Sequence, residues 1–445
     1  MRVITLGPAL DAMSACRVLY NFVAELKDPK EALVVKITLD ELDILSFFGA
    51  SSGLVRAYYR SRDQELELGG LGVAQRLSNN MHDLTADQFY MGGFSFDKNN
   101  PNSPEWSGFG NEFMFLPLLQ VIKRKKNNTL IINYSPDELI NFSIWRDHAL
   151  SILRAHSEIN LREIFCGDID FIEEQPGLEH YAQIIHDAKN NFKRDISYRK
   201  VVLGRRNIFK VNKNINSLDL FITLIKNSPQ GFSFLLDPGY QNVFFGVSPE
   251  LLYRRLGCNF ETESLAGTRP RSANQEEDDK LRNELFNSYK DQIEHALVSE
   301  HIEHQLKEFG ATDLFASRLE IMALPYVQHL VKRYHGYISH QLSDEHIINA
   351  LHPTPAVCGL DRNWALNFIR EHEGFDRGFY AGPIGYLGKD QAEFAVAIRS
   401  ALYYQHKLYV YAACGIVAES EARQEWEELT NKQKNIMSIF SNKIS

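Results

Sequence analysis

Three groups of residues in the second half of the chain have types and spacings suited to chemistry. Lys200 opens the apolar run KVVLG, where alternation puts Lys200, Val202 and Gly204 on one face and Val201, Leu203 and Arg205 on the other. A lysine there is ordinarily a solvated strand end, though packing alone does not explain it. Glu250 follows an apolar run and Pro249 in FFGVSPELLYRR. It is either an exposed turn residue or a desolvated carboxyl of raised pKa. The third group is a surplus of carboxylates. Glu421, Glu425 and Glu428 fall at i, i+4 and i+7, on one helix face beside Trp426. Like charges at such spacings cost about 0.2–0.5 kcal/mol per pair. A solvated face tolerates that cost. A hard cation would relieve it, and Mg²⁺ takes one or two carboxylates plus water and substrate oxygens. Glu294, in DQIEHALV, offers a second ligand from another helix.

Strands must lead into Lys200 and Glu250, and helices must carry the glutamates. Residues 201–203 begin a strand, and 232–254 read as a hairpin turning at Asp237-Pro238-Gly239. Residues 180–195 and 275–309 are patterned as helices, and Glu276, Glu277, Asp278 and Asp279 suit the start of the second. Strand-like runs at 394–398 and 408–412 precede a final helix over 421–440, and 65–68, 89–96 and 130–134 are β-like upstream. Strands and helices mix without a regular βαβ alternation, which predicts an α+β fold. The weakest joint, at 173–177, divides residues 1–175 from 176–445.

The 445 residues carry 48 basic and 57 acidic side chains, a net charge of −9. That balance excludes polyanion binding driven by overall charge. The basic run at 123–126 reads as a solvated turn. Scaling from mass gives roughly 17,000 Å² of folded surface against about 74,000 Å² unfolded, so a large core needs no staples. Cys16, Cys166, Cys258, Cys358 and Cys414 show no C-x-x-C and read as buried thiols in a reducing cytosol. No signal peptide or membrane span is evident, so a cytoplasmic protein is expected, and the sequons at Asn127, Asn133 and Asn141 then carry no meaning. His295, His301 and His304 lack H-E-x-x-H, and Gly69, Gly70 and Gly72 lack a full dinucleotide fingerprint.

At the singled-out residues the sequence resembles the chorismate-utilising enzymes, and within them the isochorismate synthases. The pieces KVVLGRR, GVSPELLYRR, ETESLAGTRPR, DQIEHALV, VQHL, LHPTPAVCGL, GFDRGFYAGPIGYLG, EFAVAIRSA and CGIVAESEARQEWEE stand in the family's order. An N-terminal echo appears in GGFSFDKNN, EWSGFG and FMFLP. The resemblance implies one large α+β domain, with antiparallel sheets packed together and helices outside. It implies Mg²⁺ and chorismate as ligands, water adding at C2 of the ring while the C4 hydroxyl leaves. Carried over by position, Lys200 resembles the base that activates water and Glu250 the acid that protonates the departing hydroxyl. Glu294 and Glu428 match metal ligands, Glu425 the glutamate supporting them, and Arg399 the grip on the substrate carboxylate. Thr268, His352 and the backbone of Gly415 and Ile416 fall where the family contacts substrate.

Single positions separate family members. Anthranilate synthases resemble this chain but carry glutamine where Lys200 stands. Aminodeoxychorismate synthases place a nucleophilic lysine at Ala266. Salicylate synthases keep the lysine but usually lack LHPTPAV. ETESLAGT and VQHL resemble the menaquinone branch rather than the siderophore branch. The resemblance therefore implies an isochorismate synthase with no glutaminase, nucleic-acid or membrane partner. Its rivals are salicylate synthase and a siderophore-pathway isochorismate synthase, and after them an anthranilate synthase component working with a glutaminase or a chorismate-binding protein without turnover. One departure stands out: the family's G-A-G-I is Ala413-Cys414-Gly415-Ile416, which is expected to tighten the pocket.

Overall fold

The strand Glu112–Arg124 organises the molecule. One edge pairs antiparallel with Leu66–Arg76, and the other is shared by Phe89–Phe94 and Asn128–Tyr134. From Phe113 to Ile122 it is buried throughout, because layers cover both of its faces. Two antiparallel sheets diverge from it. This computed structural model describes residues 1–49, 53–77, 84–99, 103–125, 127–136, 141–156, 168–211, 215–240 and 242–440.

The first sheet continues from Leu66–Arg76 through Arg56–Arg60, Phe232–Asp237, Asn242–Ser248, Ser400–Tyr404 and Lys407–Ile416 to Lys200–Val211. Its far edge is closed by Ile169–Gln175 and Gly359–Leu360. The second sheet runs from Phe89–Phe94 through Pro383–Gly388, Gln391–Val396, Leu251–Leu256 and Asn259–Pro270 to Val327–Tyr337. The sheets touch through aromatic side chains. Tyr59 of the first meets Tyr386 of the second edge-on, with ring centroids 5.6 Å apart, an arrangement the ring quadrupoles favour. Helices lie outside: Leu178–Arg194 and Ala422–Met437 beside the first sheet, Tyr289–Glu308 against the second. The fold is α+β.

The chain crosses from the first sheet to the second at Pro249-Glu250, and returns at Ala397–Arg399. The crossings are stitched together. Val396 N donates to Glu250 O at 3.1 Å, and Val247 N to Arg399 O at 3.2 Å. Arg399 sits at φ 52°, a left-handed conformation that costs a non-glycine residue about 1–2 kcal/mol. Such strain persists where the surroundings over-determine it.

Three expectations need correction. Residues 251–254 do not extend the hairpin; Leu251–Leu256 belongs to the other sheet, because the crossing intervenes. Residues 275–309 form two helices, Gln275–Asn287 and Tyr289–Glu308. Ser288 ends the first and caps the second, its hydroxyl accepting from Asp291 N at 3.3 Å. Cys258 is only half-buried, while Cys16, Cys358 and Cys414 are buried; Cys166 and Lys126 lie outside the described residues. The strands on either side of the 173–177 joint pair with each other, Gln175 opposite Arg206.

Candidate active site

Lys200 begins its strand fully buried, at 0% exposure. Its ammonium lies 3.0 Å from Glu294 Oε1. A buried charge needs such a partner. The strand itself is clamped by a buried ion pair. Arg377 donates to Glu373, to Val202 O at 2.8 Å and to Val357 O at 2.8 Å, and Gly204 N donates to Glu373 at 2.5 Å. Both clamp residues come from the run 373–380, close in sequence to the cavity residue Tyr380.

Gly415 lies on the neighbouring strand, opposite Val202. A β-carbon there would strike the Glu294 carboxylate and sit 2.7 Å from Lys200 Cε. We expect Gly415→Ala to lower kcat/KM by about 10–100-fold, since overpacking a filled site costs about 1–3 kcal/mol. Steady-state kinetics on a variant of unchanged Tm would check it. Ala413 shares the Gly415 face by alternation. Cys414 turns the other way, its thiol 3.0 Å from Tyr181 Oη and 3.8 Å from Glu425 O. Ala413 and Cys414 are both among the residues lining the cavity beside Gly415.

Glu250 enters from the first crossing, 4% exposed. Burial, and then the nearby Glu263 charge, push its carboxyl up to about 8, against the pull of Lys200, Arg399 and Lys432. Glu263 is itself held by both terminal nitrogens of Arg62, at 2.7 and 2.9 Å. Glu250 is thus a protonated acid at neutral pH. Arg399 enters from the second crossing, 6% exposed, and its side chain bonds only His329 Nε2, at 3.3 Å, among the described residues. Burial lowers its pKa. A guanidinium fork has the geometry to grip a carboxylate with two parallel hydrogen bonds.

These groups surround one cavity of about 50 Å³, lined by Glu250, Thr268, Glu294, Arg399 and Gly415 together with His329, Tyr380 and Lys432. It meets a second cavity of about 320 Å³ at Thr268, where Lys290, Glu425 and Glu428 form the wall. Each glutamate has a lysine: Glu294 faces Lys200, Glu425 lies 2.5 Å from Lys290, and Glu428 lies 2.7 Å from Lys432. Burial raises Glu428, but the Lys432 ammonium outweighs it and holds the carboxylate low. Glu425 is pushed up by burial and then by Glu428. Lys290 feels all three carboxylates. Among the described residues no three His, Cys, Asp or Glu side chains converge as a ligand set. Two carboxylates with water and substrate oxygens suit Mg²⁺, so the donor chemistry fits.

The fold brings Glu250, Glu294, Thr268, Arg399 and Gly415 to one cavity and Glu425 and Glu428 to its neighbour; Lys200 is outside the lining and reaches it through Glu294, 3.0 Å away. Glu421 remains exposed at the helix start. His352 is not among the lining residues; its Nε2 lies 3.2 Å from Phe96 O. Ile416 is buried beyond the lining. Sequence reasoning misses Lys432, Tyr380 and His329. Lys432 had a signal, standing at i+4 from Glu428.

The chain matches the chorismate binding enzyme family over residues 78–441. It is 29% identical over 416 residues to an isochorismate synthase of Haemophilus influenzae, covering 92% of both chains. It is 29% identical over 428 residues to a salicylate biosynthesis isochorismate synthase of Pseudomonas aeruginosa, covering 91% of this chain and 89% of that one. The menaquinone-specific isochorismate synthase of Escherichia coli superimposes with a TM-score of 0.82 at 25% identity, over 96% of this chain and 98% of that one. With a family match spanning most of the sequence, the chain belongs to the chorismate-binding enzymes.

Proposed function

We propose that this chain is a Mg²⁺-dependent isochorismate synthase that isomerises chorismate reversibly and serves menaquinone formation. The observation that carries the reading is the composition of one cavity. A carboxyl held protonated to about pH 8 and a buried arginine line the same space, and a buried lysine stands 3.0 Å from Glu294 in its wall. Arg399 binds a substrate carboxylate and Thr268 hydrogen-bonds the ligand. Lys200, which must first lose its ammonium proton and act as the neutral amine, takes a proton from water as the water oxygen bonds to C2. The ring double bonds shift, the C4–O bond breaks, and Glu250 donates the proton that releases the hydroxyl as water. Solvent exchange then restores both groups. Glu294 and Glu428 would hold Mg²⁺, with Glu425 in support, and the ion would supply positive charge for the substrate carboxylate. His352 and the backbone of Gly415 and Ile416 complete the proposed substrate contacts.

We read residues 1–175 as the N-terminal part of the same fold and 176–445 as the catalytic region, which supplies every site residue named above. A cytoplasmic location is part of the proposal; among the described residues no helix is long and apolar enough to cross a membrane. Neither a glutaminase nor a nucleic acid is required.

The test is to incubate pure protein with chorismate and Mg²⁺, with and without ammonium salts, and separate the products. Isochorismate is expected in both cases, with anthranilate formed far more slowly. Ammonia needs no base to activate it, whereas water does. Efficient anthranilate or salicylate production would overturn the choice of reaction.

A further inference from the structure

The strand Asn259–Pro270 carries a bulge against Val327–Tyr337: Ala266 pairs with Leu330 and Thr268 with His329, leaving Gly267 without a ladder partner. A bulged residue has a free carbonyl. Gly267, at φ 72°, offers its carbonyl to His329 Nδ1 at 3.0 Å. A carbonyl can only accept, so the proton sits on Nδ1. Nε2 is then left with a lone pair, and it faces Arg399 Nη2 at 3.3 Å. The Thr268 hydroxyl lies 3.2 Å from the same Nδ1. It accepts there, so its own proton remains free for the cavity. His329 is 4% exposed and cannot trade these partners for water.

We propose that His329 is a positioning residue, which as the neutral Nδ1–H tautomer aims the Arg399 guanidinium and the Thr268 hydroxyl at the substrate carboxylate. The bulge at Gly267 sets the tautomer, and the tautomer sets the arginine. The proposal rests on the reading of Arg399 as the carboxylate-binding group. Because that grip serves ground state and transition state alike, losing its aim raises KM and spares kcat.

The experiment compares His329→Asn with His329→Gln, each alone and with Arg399→Lys. Asparagine keeps a donor for Gly267 but is too short to reach Arg399; glutamine extends a carbonyl toward it. For Asn, KM for chorismate should rise about tenfold with kcat nearly unchanged, in line with loss of one charge-assisted hydrogen bond. Gln should stay within about threefold of wild type, and the difference should vanish in the Arg399→Lys background. Equal KM values for Asn and Gln, or a difference that persists in that background, would overturn the proposal. Unchanged KM in Arg399→Lys alone would instead overturn the carboxylate-binding reading, and the proposal with it. Selective ¹⁵N labelling of histidine in the unmutated protein gives an answer independent of any variant's folding. A protonated Nδ1 and a bare Nε2 at neutral pH are expected, and an Nε2–H tautomer would contradict the assignment.

Discussion

Lys200→Ala and Glu250→Gln should each lower kcat by about 10²–10⁴-fold, the usual contribution of a general acid or base. Neither change should alter KM comparably, because the carboxylate grip lies with Arg399 and Thr268. The two losses have different causes. Without Lys200, water is not deprotonated as it attacks C2. Without the Glu250 proton, the hydroxyl cannot leave C4. In the return direction the roles exchange, so each variant should lose forward and reverse rates by one factor and leave the equilibrium ratio untouched. The pH profile adds a sign. Burial raises the Glu250 carboxyl to about 8, so the acid is present below that pH. The forward rate should fall as pH rises through about 8. In Glu250→Gln that limb should vanish from the small residual rate. A Glu250→Gln protein with near-normal kcat in either direction would remove Glu250 from the mechanism.

Chelation should abolish turnover and added Mg²⁺ should restore it. The reason is local charge. Glu425 and Glu428 are paired with Lys290 and Lys432, but Glu294 loses its counter-charge once Lys200 is the neutral base, so beside Arg399 a bound cation is needed to offset it and the arriving substrate. The two acidic positions on the last helix are not equivalent. Lys432 keeps Glu428 ionised, whereas burial and Glu428 itself push Glu425 up. Glu428→Gln should therefore raise the Mg²⁺ concentration needed for half-activity more than Glu425→Gln does. Titration of activity with Mg²⁺ in each variant checks this. Equal shifts would mean that the inner ligand is misassigned, and full activity in excess chelator would end the metal assignment.

Much of the architecture around the site is legible in the sequence, for identifiable reasons. Alternation from Lys200 onward marks the strand Lys200–Val211, and the absence of a βαβ beat marks the α+β class. The final helix follows from its periodic apolar face and ends close to the expected position. Other features are hidden by the physics of burial. EFMFLPLLQVIKR is apolar almost throughout, and without alternation a strand covered on both faces cannot be told from a buried helix. The strand Leu251–Leu256 continues the apolar pattern of the hairpin, and nothing local reveals that it has changed sheets. Ser288 breaks a run that otherwise reads as one helix.

The site divides in the same way. Lys200 and Glu250 draw notice as polar groups set against apolar runs. Lys432 does not, because an i+4 lysine beside a glutamate is the ordinary dress of an exposed helix; only tertiary packing turns it into the cavity. His329 lies inside a buried strand, and its role depends on a bulge in the partner strand.

The most direct measurement follows oxygen. Pure protein with chorismate and Mg²⁺ in H₂¹⁸O should form isochorismate carrying ¹⁸O in the C2 hydroxyl. Chorismate recovered at equilibrium should carry the label at C4, because the return reaction adds water there. Isochorismate whose C2 oxygen is unlabelled would show that the hydroxyl migrates without solvent water, and would contradict the opposed roles of Lys200 and Glu250.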